Sequence, residues 1–429
     1  MEPAFIGLLS AGLILFLLIC GVWIGAALGI VGIIAFFLYG GWQAVPAVGH
    51  ITFNCLTSYD FVSLPLFIFM ATILANCGVS ERIYAGSAAI FARFPGGLLH
   101  ANVAGCALFA SICGSTAATC AAMSTIALPE LEKRGYPEAV SLGSLAASGT
   151  LGPLIPPSIG FIIYGVITET SIGQLFMAGI IPGIMLASLF MGYIFVRSLI
   201  KKDIKTEKKD FKETVLRLLS LWPVVVLFLL VIGTIYLGIC TVVEAGSFGC
   251  VGALLVAIFF RQLTRKNLFE ALRQGTNITV LIFFILLGGV ILGHGLSNYG
   301  VPQYLLEMVI AAELSQYQFL GVLTIFYLIL GMFLDGAAIM VVTLPIIFPV
   351  VSALGIHPVW YGVVMVLFCD LAAITPPVGV NLFVLQGITQ KPLERIVKGI
   401  IPFILALLFV VLILVIWPWI PLILPNMMF

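Results

Sequence analysis

The residues able to bind a ligand lie in four short interruptions of an otherwise apolar chain. Two are proline-glycine breaks, "GTLGPLIPPS" at Gly149–Ser158 and "DLAAITPPVG" at Asp370–Gly379. Two are small polar stretches, "CGSTAAT" at Cys113–Thr119 and "LDGAAI" at Leu334–Ile339. Proline removes a backbone donor and clashes with the preceding turn, so each Pro-Pro stretch interrupts a helix. A broken helix frees carbonyl oxygens, which suit a cation. A restarting helix offers amides and the positive end of its dipole, which suit an anion. The chemistry indicated is paired cation and anion binding; a plain proline kink is the alternative at either break taken singly. Asp335 and Asp370 fall in the same segments. A carboxylate is costly inside a bilayer and functional by default there, although either also suits a helix cap.

Bond-making chemistry finds little support. The nine cysteines form no CxxC pair, and four scattered histidines do not suggest a metal enzyme. Cys106, Cys113 and Cys120 are spaced to share one helix face, where small buried packing residues are the ordinary reading. No HExxH, Ser/His or paired-Asp motif is evident, which argues against an intramembrane enzyme. A net charge of +1 gives no reason to expect nucleic acid as a partner.

The elements that position these segments are membrane spans. Of 429 residues, 62% are hydrophobic and 9% charged, against about 25% charged in soluble domains. Apolar runs of spanning length, about 18 residues or more, recur from end to end. The N-terminus lacks the basic region of a cleavable signal, with Glu2 in its place. The fold expected is an all-α polytopic membrane protein. Ten spans are read at 4–20, 22–40, 60–77, 138–166, 178–198, 219–238, 241–260, 277–297, 358–384 and 400–421. The regions 98–132 and 318–354 are too long for one crossing and interrupted midway, so each reads as a re-entrant helical hairpin.

Charge agrees with that count. All 19 Lys and Arg fall at Arg82 and Arg93, at Lys133 and Arg134, and in the stretches 197–217, 261–273 and 391–398. Ten spans and two hairpins put all five clusters on one face, as the enrichment of cytoplasmic loops in Lys and Arg requires. Both termini then lie outside. The run "KKDIKTEKKDFKE" at Lys201–Glu213 mixes both signs; it reads as a solvated cytoplasmic connection, with anionic lipid as the alternative contact.

Shifted by 220 residues, the chain meets itself. "GIIP" at Gly179–Pro182 returns at Gly399–Pro402, Pro156-Pro157 as Pro376-Pro377, Pro129 as Pro349 and Gly135 as Gly355. Ser115 falls on Asp335 and Thr150 on Asp370, while "NCGV" at Asn76–Val79 resembles "NYGV" at Asn298–Val301. The expected organisation is a first repeat over 1–198, a cytoplasmic linker over 199–218 and a second repeat over 219–429. The first hairpin is flanked by Arg93 and Lys133 and opens to the cytoplasm. The second lies between uncharged loops and opens outward, so the repeats are inverted. Inverted repeats with discontinuous helices at mid-membrane point to a secondary transporter. Irregular backbone is tolerated in a membrane where it lines a polar cavity or binds an ion.

Several segments resemble the large membrane subunit of the tripartite ATP-independent periplasmic (TRAP) transporters. They are "SLPLFIFMA" at Ser63–Ala71, "CGSTAAT", "LPELEKRGY" at Leu128–Tyr136, "GTLGPLIPPSIGFIIYGVIT" at Gly149–Thr168, "LFMAGIIPG" at Leu175–Gly183, "TVVEAGSFG" at Thr241–Gly249, "LGMFLDGAAIM" at Leu330–Met340 and "ITPPVGVNLFV" at Ile374–Val384. Thr116 stands where the family has a second tip serine, and Val242-Val243 where it often has Pro-Thr.

The resemblance implies a sodium-driven importer of small organic anions in the bacterial inner membrane, of elevator type. It implies a soluble periplasmic substrate-binding protein and a small four-helix membrane subunit, the latter expected as a separate chain. For a first Na+ site it implies Gly114 and Ser115 from the hairpin tip with Gly152, Ile155, Pro157 and Ser158 from the break. The repeat-related counterparts are Asp335, Gly336, Ala372, Thr375 and Pro377. Carbonyls and hydroxyls suit sodium, by analogy with other hard cations, whereas small residues also serve helix packing. Thr116, Thr119 and Asn381 are candidates to face the substrate. Glu244 reads as an interhelical or subunit contact, and His294 and Asn298 as interfacial. A stand-alone sodium/organic-anion symporter of related architecture is the rival reading.

Overall fold

The computed structural model describes residues 2–201, 221–376 and 379–428. Among them every regular element is helical. The first part of the chain forms α1 (Pro3–Ile19), α2 (Ile24–Gly40), α3 (Pro46–Thr57), α4 (Ser63–Asn76) and α5 (Val79–Phe91). The hairpin arms α6 (Leu98–Cys113) and α7 (Thr116–Lys133) follow, then α8 (Glu138–Ser148), α9 (Leu151–Leu154), α10 (Ile159–Thr168) and α11 (Ile172–Lys201). The second part forms α12 (Trp222–Tyr236), α13 (Val242–Phe259), α14 (Arg265–Asn298) and α15 (Val301–Ala311). It continues with hairpin arms α16 (Gln316–Leu330) and α17 (Gly336–Ala353), then α18 (Pro358–Ile374), α19 (Val380–Thr389), α20 (Leu393–Ile416) and the short α21 (Trp419–Leu422).

Seven helical stretches among the described residues are long and apolar enough to cross a membrane. The region read at 138–166 as a span broken at its Pro-Pro stretch is a pair, α8–α9 and α10, bent by 41°. Three other expected spans are single helices of 17, 15 and 17 residues. Helices α1 and α12 are closed by turns at Gly21 and Gly238, and α18 ends where Thr375 turns extended before Pro376. The linker expected over 199–218 lies largely outside the described residues.

Matching backbone turns recur along the chain. Gly78, between α4 and α5, and Gly300, between α14 and α15, are both left-handed, with φ of 67° and 70°. Gly135 and Gly355, each after the second arm of a hairpin, have φ of 69° and 71°. The distal halves of the two broken helices also end alike, at Glu169 and Gln390, both left-handed.

Helices meet where glycine removes the side chain, as is common in membranes. In the α2–α14 crossing, a carbon added to Gly288 would stand 2.3 Å from the Gly25 carbonyl oxygen. In the α8–α20 crossing, one added to Gly143 would stand 2.1 Å from the Gly399 carbonyl oxygen. Helix α13 lies on α4, where the Cys250 thiol donates to Leu66 O at 2.9 Å.

Helix ends bearing charge also pair. Arg82 stacks 4.1 Å above the Phe260 ring, and Asn76 donates to Gln274 at 2.9 Å. Lys391 approaches Glu138 at 3.2 Å and Glu132 at 3.7 Å, and Arg395 reaches Glu138 at 2.9 Å. At uncharged ends, Gln316 donates to Leu354 O at 2.7 Å. Two local expectations change. Glu244 forms a capping box with Thr241, accepting from its backbone N–H at 2.8 Å, an intrahelical bond in place of the interhelical one expected. Cys120 lies on α7, across the hairpin tip from Cys106 and Cys113 on α6, so the three do not share one helix face.

Candidate functional site

The first hairpin turns at Gly114 and Ser115. Gly114 is left-handed at φ 61°, and Ser115 is extended before α7 begins. This tip lies directly on the first break. A carbon added to Gly114 would stand 2.9 Å from Pro157 O and 3.1 Å from Ile159 N. One added to Gly152 would stand 2.8 Å from Ser115 O. Gly114, Ser115, Gly152 and Pro157 therefore meet backbone to backbone, which glycine alone permits at this distance. Behind the break, α11 is equally close. A carbon on Gly179 would stand 2.4 Å from Leu154 O, and one on Gly183 would stand 2.8 Å from Ile155 Cγ1. The short α9 is thus held between tip and wall, with Ile155 extended at its end.

The two serines differ. Ser158 is buried and caps α10: its hydroxyl accepts from Phe161 N at 3.2 Å and donates to Pro153 O. Ser115 makes no side-chain capping bond, although it stands at the N-cap of α7. Its hydroxyl remains available to a ligand beside the carbonyls of the break.

The second hairpin turns between Gly331 and Asp335. Asp335 is exposed and caps α17, its Oδ1 accepting from Ala338 N at 3.3 Å. Gly336 lies against α18, where the Cys369 thiol donates to Gly336 O at 3.5 Å. A carbon on Gly331 would stand 2.1 Å from Ala372 Cβ. The tip therefore meets its break at Cys369 and Ala372. The Thr375 hydroxyl donates to Leu371 O at 2.6 Å within its own helix. Pro377 lies outside the described residues.

The substrate candidates gather between the two breaks. Asn381, near the start of α19, is buried and donates from Nδ2 to Ala146 O at 2.9 Å. A carbon on Gly149 would stand 2.9 Å from that Nδ2 and 3.0 Å from Thr116 O. Cys120 of α7 donates weakly to Asn381 O at 3.8 Å. Asn381 Oδ1, Thr119 Oγ1 and Ser148 Oγ are buried without a partner among the described residues. A native interior leaves few such atoms unsatisfied, and a bound ligand or water is one ordinary reason for them. More widely, α19 packs on α7, and α10 packs on α17. Each broken helix thus places its distal half on the hairpin from the other part of the chain.

Residues 11–420 match the family model described as "Tripartite ATP-independent periplasmic transporter, DctM component". The chain belongs to this family. It is similar to the C4-dicarboxylate TRAP transporter large permease protein DctM of Pseudomonas aeruginosa, 33% identical over 93% of this chain and 94% of that protein. It is also similar to the sialic acid TRAP transporter large permease protein SiaM of Vibrio cholerae, 28% identical over 87% of each. In fold it resembles the YdaH transporter of Alcanivorax borkumensis, with TM-score 0.56 and 14% identity over 86% of this chain and 88% of that one. It is a transporter permease subunit rather than an enzyme, a multi-pass protein of the bacterial inner membrane.

Sequence reading missed three contributors to this candidate site of the TRAP permease. Gly149 and Cys120 seat Asn381, and Gly331 lets the second tip reach α18. Gly149 was legible as the first residue of the break; Cys120 and Gly331 carry no local signal, because their partners are remote in sequence.

Proposed function

We propose that the chain is the sodium-coupled transport subunit of a TRAP system that imports a small organic anion by an elevator motion. In this reading the two parts of the chain are inverted repeats. Matching left-handed turns and the reciprocal packing of α10 on α17 and α19 on α7 support it. The hairpins and broken helices form the moving block, and the α2–α14 and α4–α13 pairs belong to the scaffold. Sodium is a co-substrate held by the carbonyls and hydroxyls of Gly114, Ser115, Gly152, Ile155, Pro157 and Ser158. A second set is drawn from Asp335, Gly336, Ala372, Thr375 and Pro377. Thr116, Thr119 and Asn381 face the substrate. One observation carries the reading: the unsatisfied atoms Asn381 Oδ1, Thr119 Oγ1 and Ser148 Oγ lie on the elements that frame the two breaks.

No Lys or Arg lies deep in a span, so helix termini and the co-bound cation would balance an anion's charge. Relatives are named for C4-dicarboxylates and sialic acid, and small organic acids are the substrate class proposed here. The partners are a small four-helix membrane subunit and a periplasmic binding protein; a relative from Oleidesulfovibrio alaskensis is named an isethionate permease protein DctMQ. Reconstitution tests this. Liposomes holding the chain, the small subunit and the loaded binding protein should accumulate substrate only with an inward sodium gradient. Equal uptake by the chain alone would favour the stand-alone symporter. Equal uptake without sodium would remove the coupling.

A further inference from the structure

Asp370 is the only fully buried Asp, Glu, Lys or Arg among the described residues, with 0% of its surface exposed. Neither carboxylate oxygen has a hydrogen-bond partner among those residues. Burying an ionised carboxylate without compensation is very costly, and inside a membrane the cost marks function. Thr150, which the 220-residue shift places on Asp370, is also buried, but its hydroxyl donates to Ala147 O at 2.7 Å. One break is thus locally satisfied and neutral. The other carries a carboxyl group with no partner among the described residues.

Helix register shows where that charge lies. Helices α18 and α10 pack together running in opposite directions. Gly362 meets the Tyr164 ring, a carbon on it standing 2.8 Å from Tyr164 Cε1. One turn on, Val366 Cγ2 lies 3.5 Å from a carbon placed on Gly160. Asp370 is the next position on that stripe, since residues four apart share a helix face. Helix α10 begins at Ile159, so this end of the stripe lies beside the first break. Packing of α18 on α9 agrees. Asp370 therefore lies on the face of α18 that packs on α10, at the end next to the first break.

We propose that Asp370 supplies a negatively charged oxygen to a monovalent cation held between the two breaks. It is a ligand additional to the neutral carbonyls and hydroxyls of the hairpin tips, and the inference rests on the sodium-coupled reading above. Acceptors without donors suit a cation and repel a substrate carboxylate. Loading the cation neutralises the only fully buried acidic or basic group among the described residues, so the loaded block crosses the bilayer more easily than the empty one. The carboxylate also links the two breaks, so ions bound at either would act on the other.

The test is sodium-dependent thermal stabilisation of the purified complex with the small subunit, choline replacing sodium at constant ionic strength. A cation that binds only the folded state raises the unfolding temperature with concentration. Asp370→Asn should need at least tenfold more sodium for half of the effect, and should be no less stable in choline, because an unpaired charge is gone. A carboxyl neutralised by a proton is mimicked by asparagine, so a wild-type sodium curve in Asp370→Asn would overturn the proposal while sparing the sodium reading. Absence of any sodium effect in the unaltered complex would overturn both. Should Asp370→Asn yield no folded complex, Asp370→Glu carries the test. It keeps the charge but moves the oxygens by one methylene, so a shifted sodium midpoint supports ligation and an unchanged one overturns it.

Discussion

Gly152 lies so close to the hairpin-tip residue Ser115 that a side-chain carbon on it would stand 2.8 Å from the Ser115 carbonyl oxygen and 2.9 Å from its carbonyl carbon. Both atoms are backbone, so neither can swing aside as a flexible side chain would. Gly152→Val should force the tip away from the break. We expect inserted protein with sodium-driven uptake reduced more than tenfold, and Gly152→Ala intermediate. Wild-type uptake in Gly152→Val, normalised to inserted protein, would show that the tip need not rest on the break.

A second close approach tests assembly rather than transport. A carbon on Gly399 of α20 would stand 1.8 Å from Ala139 O of α8. Forcing atoms into a packed contact typically costs about 1–3 kcal/mol. Gly399→Ala should therefore lower the unfolding temperature of the purified protein. Gly192→Ala on α11, with open space around the added carbon, should be neutral or slightly stabilising, since alanine favours helix over glycine by about 1 kcal/mol. Equal effects of the two would mean that the α8–α20 crossing is not under this constraint.

These contacts mark what could be read in advance. Pro156-Pro157 and the Gly-Ser and Asp-Gly tips were legible because proline and glycine act on local backbone. The extended Ile155 and Thr375 follow from the prolines after them, which disfavour helix in the preceding residue. That Gly114 rests on Pro157, or that Asn381 bonds Ala146, was not legible, since such pairs exist only once remote helices pack. Glu244 is a different case. Thr241-Val-Val-Glu244 fits the capping-box pattern, a local signal that was available, yet a longer-range contact was expected. Helices α3 and α5 escaped notice because each is too short to span a membrane.

Orientation gives a third expectation. Arg265 and Glu313 are both exposed, one at the start of α14 and the other after α15. If basic clusters face the cytoplasm, single cysteines at these positions, in a background lacking the nine native ones, should label from opposite sides. Arg265→Cys should react only after the membrane is permeabilised, and Glu313→Cys in intact spheroplasts. Labelling of Arg265→Cys from outside would reverse the proposed orientation.

The last expectation separates two serines with the same proposed role. Ser115 makes no side-chain capping bond, whereas Ser158 caps α10 through Phe161 N at 3.2 Å. Removing a serine cap typically costs about 0.5–2 kcal/mol. Ser158→Ala should therefore lose stability as well as a sodium ligand, and Ser115→Ala should lose the ligand alone. A ligand worth about 1.4 kcal/mol changes affinity tenfold, so Ser115→Ala should need roughly tenfold more sodium for half-maximal uptake at an unchanged unfolding temperature in choline. Because ion and anion affinities are linked reciprocally, its apparent affinity for substrate should fall at low sodium and partly recover at high sodium. A purely structural serine would instead lower protein amount and leave the sodium curve of the remainder unmoved. Finding that unmoved curve in both variants would remove the tip and the break from the sodium site, while leaving the chain a transporter subunit.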